Sequence, residues 1–182
     1  MGSSLPAARG RRWLIAGALL LPGASLLPPG AAVAADVAVG GPAISVPDGF
    51  VVEQVAGPPL VERPVAVAFD ADGRLYVTES SGSNAPLVEQ QTDPRHRVLQ
   101  LRDADGDGRY DDRSVFADGL MMPQGCLWHR GSVYVAAPPQ ILRLTDTDDD
   151  GVADSRVVWH DGGTLTGCGN DLHGPALGPD GR

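Results

Sequence analysis

The sequence predicts an all-β chain made of repeated four-stranded units, and three observations carry that prediction. Short apolar runs alternate with Gly, Asp and Pro turns. The same order of runs and turns occurs twice and then opens a third time at residues 173–178. Beyond residue 35 no long helical period is present. Each unit fits four short strands into about 40–60 residues, which is the spacing of propeller blades. The fold class is therefore a partial β-propeller of four-stranded blades over residues 47–182.

Residues 50–55 read as a first strand, and residues 65–69 as a second. Asp70-Ala71-Asp72-Gly73 is a turn, because glycine supplies the positive φ a tight hairpin needs. Residues 74–78 return as its partner, 98–101 follow, and 114–116 end the unit. In the second unit, residues 125–128, 132–135, 141–144 and 157–159 repeat that order. The third unit's turn, Pro179-Asp180-Gly181-Arg182, repeats Ala71-Asp72-Gly73-Arg74. One blade cannot bury both faces, so blades must stack around an axis. The expectation is a fragment of a longer propeller, two blades and the start of a third. The units differ between the strand at 74–78 or 132–135 and the one that follows it, where residues 79–96 stand against 136–140. Such an insertion is either a tolerated surface loop or part of a binding face.

The N-terminus is read apart from the fold. Arg9, Arg11 and Arg12 precede an apolar run, and small residues near position 35 offer a cleavage site. Residues 1–35 read as a signal peptide for export to the periplasm or cell surface, and 36–46 as a linker. Arg11-Arg12 also permits a twin-arginine signal. An uncleaved anchor is the third reading, although the apolar run is short for a span. The net charge is −9 and the chain has no lysine, which argues against nucleic acid and anionic lipid as partners. Cys126 and Cys168 are either a disulfide of an exported protein or two small residues beside glycines. No Cys-x-x-Cys-His occurs, so this stretch has no covalent haem site.

Two aspartate-rich loops carry the clearest chemistry. Asp103, Asp105, Asp107 and Asp111 stand at loop positions 1, 3, 5 and 9, with glycine at position 6. Asp146, Asp148, Asp150 and Asp154 repeat the spacing. Alternate residues of a tightly wound loop converge, and several hard oxygens suit Ca²⁺ better than Zn²⁺ or Mg²⁺. The bidentate glutamate of an EF-hand is missing, since position 12 is Ser114 in one loop and Val157 in the other. The plain alternative is a pair of solvated Asp/Gly turns. Of the histidines, His96, His129 and His160 read as surface or turn residues. His173 follows Asp171 in a polar, glycine-rich stretch leading into an inner strand. There an imidazole can serve as a general base.

These residues carry a resemblance. The matching stretches are residues 47–56, residues 64–77, Asp103-Ala104-Asp105-Gly106-Asp107-Gly108-Arg109, residues 115–120, residues 131–135 and residues 172–181. From about Pro47 to Arg182 the chain resembles the N-terminal propeller of planctomycete-type membrane-bound dehydrogenases, which often carry a C-terminal c-type haem domain. That group is similar to quinoprotein glucose and sorbosone dehydrogenases. The resemblance implies oxidation of a sugar or alcohol, with hydride passing to pyrroloquinoline quinone (PQQ). It puts the base on His173 and a substrate contact on Asp171. It also implies that the cations holding the quinone come from later blades, and that a c-type haem domain or another acceptor takes the electrons. The chain departs from the dehydrogenase pattern where Leu172 separates Asp171 from His173, and where Gly174-Pro175-Ala176-Leu177 replaces Gly-x-Leu. The rival reading is a non-catalytic propeller, a scaffold or partner of a haem domain.

Overall fold

The structure is a computed structural model that describes residue 44, residues 46–47, residues 49–166 and residues 171–181. The expected signal peptide, most of the linker and Cys168 lie outside the described residues. Among the described residues no helix is long and apolar enough to cross a membrane.

Among the described residues the fold is two four-stranded antiparallel meanders. The first holds β1 (Pro64–Phe69), β2 (Leu75–Glu79), β3 (His96–Arg102) and β4 (Asp112–Leu120), with α1 (Leu87–Thr92) between β2 and β3. The second holds β5 (Gly125–His129), β6 (Ser132–Ala137), β7 (Gln140–Thr145) and β8 (Ser155–Asp161). The registers match. Leu75 faces Leu101 in the first sheet as Val133 faces Leu144 in the second. Leu99 faces Val115 as Leu142 faces Val158. Each fourth strand then carries one extra residue, Phe116 or Trp159, at a bulge.

The hairpins follow from local chemistry. The buried Asp70 carboxylate accepts the amides of Asp72 and Arg74, each at 2.9 Å, and Gly73 takes φ 84°. Arg130 and Gly131 both have positive φ, 48° and 78°, as a two-residue hairpin between twisted strands requires.

The sheets pack through an apolar layer. Tyr76, Val98, Phe116 and Leu120 of the first sheet are buried against Val133, Val135, Leu142 and Leu144 of the second. The opposite face of the first sheet buries Leu75, Val77, Leu99 and Leu101 under Ala56, Leu60 and Val61.

Three stretches differ from the sequence reading. Residues 50–55 form no strand, since no strand lies beside them among the described residues to pair their backbone groups. The insertion 79–96 contains the short helix α1, too brief to give a sequence period. Residues 173–178 form no strand either, and the turn after them is closed by Gly181 N–H donating to Gly178 O at 3.0 Å.

Candidate metal loops and the turn carrying His173

Both acidic loops join the third and fourth strands of a sheet, so they occupy one place in the repeat. Their hydrogen bonds also repeat. Asp103 accepts the amides of Gly106 at 2.8 Å and Gly108 at 2.9 Å, and Asp146 accepts those of Asp149 at 2.7 Å and Gly151 at 2.9 Å. Asp107 accepts Arg109 N–H and Asp150 accepts Val152 N–H, both at 2.8 Å. Asp111 accepts Ala104 N–H at 2.9 Å, and Asp154 accepts Thr147 N–H at 2.7 Å. These bonds curl each loop so that its carboxylates converge.

Oxygens of Asp103, Asp105 and Asp107 lie within 4.8 Å of one another, as do those of Asp146, Asp148 and Asp154. Asp111 stands outside the first cluster and Asp150 outside the second. The spacing fits a cation with ligands at about 2.3–2.6 Å, since opposed ligands are then about 5 Å apart. Repulsion from Asp150, followed by that of Asp154 and Asp146, pushes the Asp148 carboxyl above its ordinary range, despite a backbone hydrogen bond that opposes it. The Thr147 hydroxyl and amide hold Asp154 below its ordinary range.

The second loop also docks on the first sheet. Arg74, already paired with Asp70 at 2.5 Å, reaches Asp149. Arg102 Nη2 donates to Asp149 O at 3.2 Å, and Ala153 N–H to Phe116 O at 2.8 Å. A Cβ on Gly151 would meet Ser114 Oγ at 2.7 Å, so glycine answers both the φ of 86° and the close approach.

His173 sits elsewhere. The antiparallel meander puts the acidic loops and the 70–74 hairpin at one end of the strands. The insertion 79–96 and the segment after β8 are at the other end. His173 is exposed and Asp171 half-buried. Gly174 O would be 2.2 Å from a Cβ on Gly125, so this turn crosses the start of β5 in backbone contact. Asp171 accepts Thr166 N–H at 3.0 Å and the Thr166 hydroxyl, which commits its carboxylate to the turn. Among the described residues, Arg63, Arg95 and Arg97 lie at the His173 end and are paired within the first blade, with Glu62, Asp93 and Glu79. They do not fit the carboxylates of a quinone.

Two positions have more structure than the sequence reading gave them. His96 is buried, not on the surface. Its Nδ1 accepts Ser81 N–H and its Nε2 faces Gln90 Oε1, both at 2.9 Å. Period-2 alternation through Val98 and Gln100 was the available signal. Cys126 is half-buried with Sγ 3.8 Å from Tyr76 O, and burial pushes its thiol up to about 12.

Fold and loops define a class: antiparallel four-stranded blades in tandem, each with an aspartate loop before its last strand. The chain belongs to a domain family of unknown function, DUF7133, whose model matches residues 41–182. Comparison with curated proteins gives no match. A crystal structure from Thermus thermophilus, of an oxidoreductase described as a glucose dehydrogenase, is similar at 23% identity and a TM-score of 0.36. The similarity covers 71% of this chain and 33% of that one, so the chain spans about a third of that protein's length.

Proposed function

We propose that this chain is a calcium-braced section of an exported propeller dehydrogenase that oxidises a sugar or alcohol. The observation that carries the calcium part is the hydrogen-bond scheme shared by the loops of Asp103 and Asp146. Asp103, Asp105 and Asp107 hold one Ca²⁺, and Asp146, Asp148 and Asp154 the other, with Asp111 and Asp150 closing their loops. The ions are structural, because their loops lie at the strand ends away from His173 and dock one blade on the next.

The dehydrogenase part rests on the resemblance over residues 172–181. It extends to the planctomycete-type membrane-bound dehydrogenases, with a c-type haem domain or another acceptor as electron partner. Export is supported by the basic and apolar pattern of residues 1–35. PQQ, in proteins of this type, supplies the hydride acceptor. This chain's own contribution is an exposed imidazole, His173, able to take the proton of a substrate hydroxyl. Asp171 shapes its turn through Thr166.

That commitment of Asp171 favours a second reading, a non-catalytic propeller serving as scaffold or partner of a haem domain. Dye-linked oxidation of sugars and alcohols, with full-length protein given Ca²⁺ and PQQ, separates the two. Turnover that falls by ~10²-fold or more in His173→Ala supports the enzyme. No turnover in the wild type leaves the scaffold.

A further inference from the structure

Residues 50–60 meet the first blade in the way that the fourth strand of the first blade meets the second. At the eighth position of the second acidic loop, Ala153 N–H donates to Phe116 O at 2.8 Å. At the eighth position of the first loop, Tyr110 N–H donates to Val55 O at 2.9 Å. Arg156, opposite Leu144, reaches Asp118 O, two residues beyond Phe116. Its counterpart Arg113, opposite Leu101, donates to Pro59 O at 3.0 Å and Leu60 O at 3.2 Å, in the turn that follows Val55 by four and five residues.

Burial repeats as well. Val133, Val135, Leu142 and Leu144 are covered by Phe116 and Leu120. Their counterparts Leu75, Val77, Leu99 and Leu101 are covered by Ala56, Leu60 and Val61. Backbone donors, an arginine and an aliphatic face thus treat residues 55–60 as they treat residues 116–120.

One thing differs. Phe116 and Ala117 are 2% and 8% exposed, and their strand is paired to β3. Phe50, Val51 and Val55 are 70%, 78% and 41% exposed, with no strand alongside among the described residues. An apolar edge of that kind invites strand addition.

We infer that residues 50–56, which run up to the turn closed by Leu60 N–H donating to Gly57 O at 2.9 Å, are the fourth strand of another blade, and that their free edge takes the third strand of a three-stranded meander of this same repeat. The meander comes from the same polypeptide. The repeat carries on past the second blade, because Pro175, Ala176 and Leu177 of the third unit lie in a groove against Leu127, Tyr134 and Trp159. That groove is on the second blade's outer face, and blades added there lead round to residues 50–60. A ring closed through a blade shared by both ends of the repeat array leaves no open edge.

Hydrogen exchange on purified full-length protein tests this. Amides of residues 50–57 are expected to exchange at least ~10-fold more slowly than those of 81–86, and like those of β4, at every protein concentration. Exchange at the loop's rate overturns the proposal. Protection that vanishes on dilution also overturns it, because a second copy then covers the edge. Val51→Asp is expected to lower Tm by several degrees while Val88→Asp, at a similarly exposed site on α1, leaves it unchanged. Equal Tm values for both variants and the wild type also count against it, and the exchange result stands if Val51→Asp does not fold.

Discussion

Phe116 and Trp159 hold the same place in consecutive blades, each the extra residue of a bulge, yet Phe116 is 2% exposed and Trp159 58%. Each makes an edge-to-face contact with the tyrosine at the matching place in its sheet. The Tyr76–Phe116 centroids are 5.0 Å apart and the Tyr134–Trp159 centroids 5.5 Å apart. The difference is what lies on top, because the second blade covers only the first pair. Phe116→Ala in this chain is expected to cost ~3–5 kcal/mol, since it opens a cavity in the layer between blades. Trp159→Ala is expected to cost under ~1 kcal/mol, as at an exposed site. Urea denaturation of both variants measures the contrast, and equal losses would mean that the blades do not pack through Phe116.

Much of this was legible in the sequence, for a physical reason. Strand alternation within the two sheets, the Asp72-Gly73 turn and the positions of the acidic loops are all local signals, and these landed where read. What escaped depends on distant partners. Phe50-Val51-Val52 has strand propensity, but propensity does not supply a neighbouring strand. His96 looked like a loop histidine because its partners, Ser81 and Gln90, lie in the insertion. Asp171 also has a partner in Thr166, five residues before it, which spacing alone does not show. The bulges at Phe116 and Trp159 shift the period by one residue and show only when both sheets are superposed.

The acidic loops predict a calcium-dependent melting temperature. A ligand bound only by the folded state stabilises it by about 2.7 kcal/mol at a hundred times its Kd. Tm should therefore rise with Ca²⁺ up to millimolar levels and fall with chelator. Asp146→Asn should blunt the rise and also loosen the blade contact, because this loop carries Asp149 and Ala153. A Tm indifferent to both calcium and chelator would count against bound ions.

His96 predicts a loss of stability on acidification. Desolvation lowers its pKa, and Ser81 N–H donating to Nδ1 requires the neutral ring with its proton on Nε2, facing Gln90. Glu89, Asp93 and Arg95 line the small cavity around it. The folded pKa lies below the unfolded one, so the contribution is present above the ordinary imidazole range. It is lost as pH falls through that range toward the folded value. Tm should drop between about pH 8 and pH 5, and His96→Gln should flatten that limb. A wild-type curve that is flat there, or unchanged by the substitution, refutes the assignment.

Glu79 ties the chain entering β1 to the middle of the first sheet. Its side chain is 1% exposed, and Oε1 accepts Glu62 N–H at 2.7 Å and Arg63 N–H at 3.3 Å. Oε2 accepts Arg97 Nε at 2.6 Å and Nη2 at 2.5 Å. Burial alone would push this carboxyl up, but the Glu62 amide, the Arg97 guanidinium and the Arg63 amide together hold it below its ordinary value. A depressed carboxyl stabilises the fold above its unfolded pKa, and that contribution is lost as pH falls through the folded one. Glu79→Gln keeps the size but turns an NH₂ donor toward groups that are themselves donors, an amide or the guanidinium. The expected cost at neutral pH is ~1.5–3 kcal/mol, the range for hydrogen bonds to a charged group. The gap between wild type and variant should narrow on acidification as the native carboxylate takes up its proton. Urea midpoints at neutral and acidic pH measure both. A variant as stable as the wild type at neutral pH would show that Arg97 and the two amides find equivalent partners without the charge.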